Sequence, residues 1–200
     1  MDVYGKVLVW RRHDAPGMES AVYDDGKGLA ARGRAISAEA VPYMATYGLR
    51  TDADWRTAEL KVTVEGGGWW RNVRLTRTAD GWDVHTATRG RIAPPLPGLD
   101  DPSILVDAVD VDLAYSPLTN TLPVRRLGLL GAPAGTERTI VAAWVALPEL
   151  AVYRSEQTYT VLGDGMVRYA SGDFTADISI DAEGYVIDYP GLAIRSGTTR

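Results

Sequence analysis

The chain has 200 residues, of which 46% are hydrophobic and 24% are charged, as in globular rather than disordered proteins. Its net charge of −5 argues against a nucleic-acid-binding protein, which would present a basic surface. The absence of cysteine excludes disulfides, thiol nucleophiles and cysteine-ligated metals. The chain has no apolar stretch long enough to span a membrane and no secretory signal at its start, so we expect one cytoplasmic domain over residues 1–200.

Alternation of apolar and polar residues predicts β-strands along most of the chain. Leu60, Val62 and Val64 alternate with polar residues and so share one face of a strand. Two further stripes have the same period, Phe174-Ala176-Ile178-Ile180 and Tyr185-Ile187-Tyr189. Strands are predicted near residues 4–12, 20–25, 29–36, 40–50, 57–65, 69–77, 81–87, 110–114, 123–130, 138–147, 151–161, 165–170, 173–180 and 184–195.

Turn signals separate these segments at intervals of roughly ten residues, the spacing typical of an antiparallel meander. Hairpin turns are predicted where glycine follows or accompanies an acidic or small residue, at 65–68, 80–81, 163–165, 171–172 and 181–184. Residues 139–147 are apolar on both faces, which is typical of a covered central strand or of a buried helix. The sequence therefore predicts a mainly β fold with little helix.

The segment 87–109 is the least regular part of the chain, because its prolines, Pro94 among them, prevent a regular ladder. Asp101 and Pro102 have the order of a helix N-cap and first position, so one short helix is predicted there. Apolar residues including Ile92 indicate that this segment packs back onto the fold as a lid or connector.

No catalytic or cofactor-binding motif is present in the sequence. His13 and His85 lack the spacing of metal ligands, and neither a serine elbow nor a phosphate-binding loop occurs. Asp110 and Asp112 would project from the same side of a strand. They could bind a hard cation, act as acid and base, form a solvated edge, or pair with arginine. Apart from that possibility, we expect no metal, no cofactor and no enzymatic activity.

The segment 110–127 has the composition of a ligand-binding turn. Polar residues around Asn120 surround two prolines and lead into Arg125 and Arg126. Asn120 can satisfy the backbone of a tight turn, or it can present an amide to a sugar-like ligand. Tryptophan and tyrosine, far more numerous than phenylalanine, suit a ligand that is part sugar and part hydrocarbon. Trp55 and Arg56 follow a turn, where side chains often face the mouth of a cleft.

Several segments together resemble the glycolipid-binding family of bacterial proteins. Asp110-Val-Asp-Leu and Thr119-Asn-Thr-Leu-Pro-Val-Arg-Arg-Leu127 are similar to the central signature of that family. Further matches run in the family's order along the chain, at Trp10…Gly17-Met-Glu19, Asp54-Trp-Arg-Thr57, Gln157-Thr-Tyr-Thr160 and Gly184-Tyr-Val-Ile-Asp-Tyr-Pro190. Ala58 departs from the pattern, because the family often has a second arginine there. That departure removes one possible contact to an anion.

This resemblance implies a single, strongly curved antiparallel sheet, similar to an unclosed barrel, with short helices in its opening. The implied role is a non-catalytic binding or carrier protein for a glycolipid or similar amphiphile, held on the concave face. An enzyme acting on a sugar or lipid through Asp110 or Asp112, and an interaction module without a small ligand, are the alternatives. The residues expected at the binding site are Trp55, Arg56, Asp110, Asp112, Asn120, Arg125, Gln157 and Tyr159.

Within that site, Trp55 and Tyr159 are expected to stack on the ligand. Arg56 and Arg125 are expected to face a polar or anionic head group. We also predict that Asp110 or Asp112 pairs with Arg125 or Arg126 across adjacent antiparallel strands, which would fix the intervening turn.

Overall fold

The computed structural model describes residues 5–91, 93 and 95–199 of the chain. Within these ranges the chain is mainly β-structure, with one α-helix, α1 (Thr121–Arg126), and three 3₁₀ turns. The strands are β1 (Lys6–Arg12), β2 (Gly17–Asp24), β3 (Ala30–Ser37), β4 (Tyr43–Thr51), β5 (Thr57–Gly66), β6 (Trp69–Thr78), β7 (Gly81–Gly90), β8 (Asp110–Leu113), β9 (Glu137–Val145), β10 (Val152–Gly163), β11 (Met166–Ser171), β12 (Phe174–Ile180), β13 (Val186–Tyr189) and β14 (Ala193–Thr199). The predictions for Ile92 and Pro94, and the start of the first predicted strand, lie outside the described residues.

All fourteen strands belong to one sheet, in the order β7-β6-β5-β4-β3-β2-β1-β14-β13-β12-β11-β10-β9-β8. Each half is a meander of hairpins, and antiparallel pairing of β1 with β14 joins the two halves at the centre. β8 runs parallel to β9 at one edge. The sheet is strongly curved and not closed into a barrel, so the predicted mainly β fold is confirmed.

The interior of the curved sheet is filled by the segment between β7 and β9. This segment contains three 3₁₀ turns, β8 and α1, and many of their apolar side chains are buried. The 3₁₀ turns span Pro102–Leu105, Pro117–Asn120 and Leu129–Gly131. Leu105, Leu113, Leu118 and Leu122 are among the most completely buried side chains of the protein. The trough, by which we mean the interior of the curved sheet, is therefore partly occupied by the chain itself.

The predicted strand at 123–130 is wrong, because this stretch is α1 followed by a 3₁₀ turn. Pro123 lies in the first turn of α1, where a proline removes no intrahelical hydrogen bond. Gly128 follows the helix with φ of 65°, a left-handed conformation that favours glycine. Pro117 and Pro123, the two prolines of the segment 110–127, thus belong to short helices.

Three local predictions have different outcomes. Asp101 caps the first 3₁₀ turn by accepting a hydrogen bond from the Ser103 amide over 3.0 Å, as expected. Residues 139–145 belong to β9, a strand that is paired on both sides, with β8 and with β10. The Tyr185-Ile187-Tyr189 stripe is wrong: the two tyrosines are buried but Ile187 is exposed, because a register shift opposite β12 leaves Ile187 between the paired residues Val186 and Asp188.

Candidate functional site

An open cleft of about 790 Å³ lies on the inner face of the second half of the sheet. It is bounded by the end of β8 and the following turn on one side and by β9 to β13 on the other. We call it the aromatic cleft, and it is lined by Pro95, Asp112, Leu113, Ala114, Tyr115, Ser116, Asn120, Trp144, Ala146, Glu149, Tyr153, Arg154, Ser155, Tyr169, Ser171, Phe174, Tyr189 and Leu192.

Aromatic side chains form the walls of this cleft. Strand register places Trp144 opposite Tyr153, and their ring centroids are 5.6 Å apart. Across the cleft, Tyr169 lies 6.0 Å from Phe174 and 6.2 Å from Tyr189. Tyr153 and Phe174 are 45% and 52% exposed, so these rings present open apolar surface rather than sealed core. Such rings suit the CH face of a sugar or a hydrocarbon chain.

The floor of the aromatic cleft is polar and is held by hydrogen bonds. Asp112 accepts hydrogen bonds from the Thr119 hydroxyl over 2.9 Å and from the Gln157 amide over 2.7 Å. The Tyr159 hydroxyl donates to Asn120 over 3.2 Å. Burial raises the pKa of Asp112 above its ordinary range, and the two hydrogen bonds oppose that rise. The floor is therefore preorganised, with its acceptors fixed in place before any ligand arrives.

The wall beside β8 is a strained turn anchored on a buried acid. Tyr115 has φ of 63°, a conformation unusual for a bulky residue. The next residue, Ser116, donates its hydroxyl to Glu19 over 2.7 Å, and Tyr47 donates to the same carboxylate oxygen. Burial raises the pKa of Glu19 to about 7. The other oxygen of Glu19 is buried without a hydrogen-bond partner among the described residues.

Asp110 lies on the same strand as Asp112 but does not line the cleft. It forms a bidentate ion pair with Arg126, with Nε–Oδ1 and Nη2–Oδ2 distances of 3.0 and 2.5 Å. Its side chain is 1% exposed and that of Arg126 is 16% exposed. The predicted aspartate–arginine pair thus exists, but its arginine comes from α1, and the expected pairing across antiparallel strands is wrong.

Trp55 and Arg125 lie together at a different place from the aromatic cleft. Trp55 is buried, and the guanidinium of Arg125 stacks over its ring at 4.4 Å. Arg125 also donates a hydrogen bond to the Glu183 carbonyl over 2.7 Å. Arg56 is exposed on the turn between β4 and β5. Two of the segments that resemble the family, residues 54–57 and 119–127, therefore contact each other here.

The structure therefore brings together only part of the predicted set. Asp112 and Asn120 line the cleft, and Gln157 and Tyr159 support its floor from below. The cleft-lining aromatic residues were missed in the sequence, namely Tyr115, Trp144, Tyr153, Tyr169, Phe174 and Tyr189. Those on strands are spaced two residues from other inward-facing residues, and this spacing could have been recognised in the sequence. Only the strand register shows that they converge on one cleft.

The fold has a close structural counterpart. A crystal structure of a DUF1089 family protein from Pseudomonas aeruginosa is similar with a TM-score of 0.71 and 29% sequence identity. The similarity covers 93% of this chain and 95% of that one. No curated protein shows significant sequence similarity to this chain. In the described part of the chain, no helix is long and apolar enough to cross a membrane. Residues 7–195 match the model of the family described as "Putative glycolipid-binding", and the chain therefore belongs to that family.

Proposed function

We propose that this protein binds an amphiphile with a sugar-like head in the aromatic cleft and carries it without chemical change. The observation that supports this proposal best is the pairing of open aromatic walls with a fixed polar floor in a single cleft. The volume of about 790 Å³ is in the range of small-molecule sites. The head group would bind at the floor, near Asp112 and Asn120, while the ring faces and the chain contact the aromatic walls.

One observation favours a second candidate, hydrolysis of a glycosidic bond. Asp112 and Glu149 both line the cleft, and two carboxyl groups flanking one bond are the usual machinery of glycosidases. Asp110 does not contribute to such a pair, because Arg126 holds both of its oxygens. Both oxygens of Asp112 already accept hydrogen bonds, an arrangement better suited to holding a head group than to donating a proton.

Native mass spectrometry of freshly purified protein, followed by solvent extraction, tests the binding proposal. The expected result is a co-purifying amphiphile that is released intact. Incubation with n-dodecyl β-D-glucoside then separates the two candidates, since a carrier leaves it whole and a glycosidase releases dodecanol. Protein that captures no amphiphile, either from cells or from added glucoside, would contradict the proposal.

A further inference from the structure

We infer that the aromatic cleft selects an uncharged, hydroxyl-bearing head group and discriminates against an anionic one. This inference rests on the proposed function, and it names the class of head group for the same cleft. It is carried by the distribution of charged groups around the cleft and by the partners that those groups already have.

Three charged residues line the cleft, and the balance among them is acidic. Asp112 and Glu149 are acidic, and Arg154 is the single basic residue among the described lining residues. Because successive side chains of a strand alternate, the Arg154 side chain projects from β10 on the face opposite to Tyr153 and Ser155, which line the cleft. On that opposite face it donates Nε and Nη2 to Asp107 at 3.3 and 2.6 Å. Its guanidinium is therefore not offered to an anion in the cleft.

Two more arginines lie next to the cleft wall, and both are engaged elsewhere. Arg12 stacks on the Tyr115 ring at 4.1 Å, but its guanidinium is bonded to Asp14 and Glu39. Arg71 is buried and donates to the backbone carbonyls of Ala93, Pro95 and Glu149. Neither guanidinium presents the free fork of donors that recognition of a carboxylate or phosphate requires.

The floor presents acceptors to a ligand. Asp112 has no cationic group within 4.0 Å among the described residues, since its partners are the neutral side chains of Thr119 and Gln157. Each of its oxygens has used one acceptor position and retains another. Hydroxyl groups of a sugar can donate to these positions, whereas a second anion would be repelled at short range in a partly desolvated site.

Serine hydroxyls complete the polar surface and suit the same ligand class. Ser155 and Ser171 lie side by side on β10 and β11, with their oxygens 3.2 Å apart, and both line the cleft. Hydroxyls both donate and accept, so they complement a polyol without favouring charge.

A matched pair of ligands tests this inference. n-Dodecyl β-D-glucoside and n-dodecyl β-D-glucuronide share the chain and the ring, and they differ only in a hydroxymethyl or a carboxylate at C6. Calorimetric titration below the micelle concentration should give a Kd at least tenfold lower for the glucoside. Equal affinity, or tighter binding of the glucuronide, would overturn the inference while leaving the proposed function intact. Binding of neither ligand would contradict the proposed function itself and the inference with it.

Variants show whether the charge distribution is the cause. Asp112→Asn removes the carboxylate of the floor and should lower the preference for the glucoside over the glucuronide at least fivefold. Asp177→Asn is the control, because Asp177 pairs with Arg168 on the opposite face of the sheet and does not line the cleft. Equal effects of the two variants on the ratio of the two affinities would overturn the role assigned to the carboxylate of Asp112.

Discussion

Gln157 on β10 donates its side-chain amide to Asp112 on β8 over 2.7 Å, across the intervening strand β9. This hydrogen bond joins a residue from the C-terminal half of the sheet to the segment that fills the trough. Gln157 is itself 1% exposed, so the bond lies beneath the aromatic cleft rather than inside it. It explains how the half-buried carboxylate of Asp112 is held without a positive partner.

Removing this donor should destabilise the protein. Gln157→Met keeps the shape of the side chain but leaves Asp112 with one hydrogen bond, and we expect a loss of about 1–3 kcal/mol in the free energy of unfolding. Asn72→Leu is the control, because Asn72 makes its hydrogen bonds on the opposite face of the other half of the sheet. Urea denaturation measures both. A loss in Gln157→Met no larger than that in the control would show that Asp112 does not depend on Gln157.

The buried pair of Asp110 and Arg126 should couple strongly. Removal of either partner leaves a buried charge uncompensated, at a cost of about 3–5 kcal/mol in unfolding free energy. A double-mutant cycle with Asp110→Asn and Arg126→Met isolates the interaction. The exposed pair of Arg168 and Asp177 has similar bidentate geometry, and its coupling should stay below about 1 kcal/mol. Coupling energies of equal size in the two cycles would refute the assigned role of burial.

Glu19 should make stability depend on pH in the neutral range. Burial raises its pKa from 4.5 to about 7, so the folded protein keeps a proton that the unfolded chain has lost. The free energy of unfolding therefore falls as pH rises between these values, by about 3 kcal/mol, and is constant with respect to this group on either side. Glu19→Gln keeps an acceptor for Ser116 and Tyr47 and removes the titration.

Chemical denaturation at pH 4.5, 6 and 8 measures this effect as the difference between the native protein and Glu19→Gln. Relative to the native protein, the variant should become progressively more stable as pH rises. Glu39→Gln is a suitable control, since the Glu39 side chain is 41% exposed. A stability difference between Glu19→Gln and the native protein that does not vary with pH would mean that folding leaves the pKa of Glu19 unchanged.

The sheet was predictable from the sequence because each hairpin is encoded locally. Alternation along residues 57–65 and the glycine turns determine strand and register without reference to the rest of the chain. The segment 110–131 was not predictable in the same way, because its short helices depend on burial inside the trough. Trp55 shows the limit most clearly: its position after a turn suggested exposure, yet Arg125, seventy residues away in sequence, covers its ring.

The measurement that tests the central proposal most directly is the affinity of n-dodecyl β-D-glucoside for two tryptophan variants. Trp144 lines the aromatic cleft, whereas Trp70 lies on the opposite face of the sheet, in register with Glu65. Loss of a stacking ring in Trp144→Ala should raise the Kd about tenfold, equivalent to about 1.4 kcal/mol, while Trp70→Ala leaves it unchanged. Circular dichroism establishes that both variants keep the fold. Equal Kd values for the two folded variants would contradict binding in the aromatic cleft.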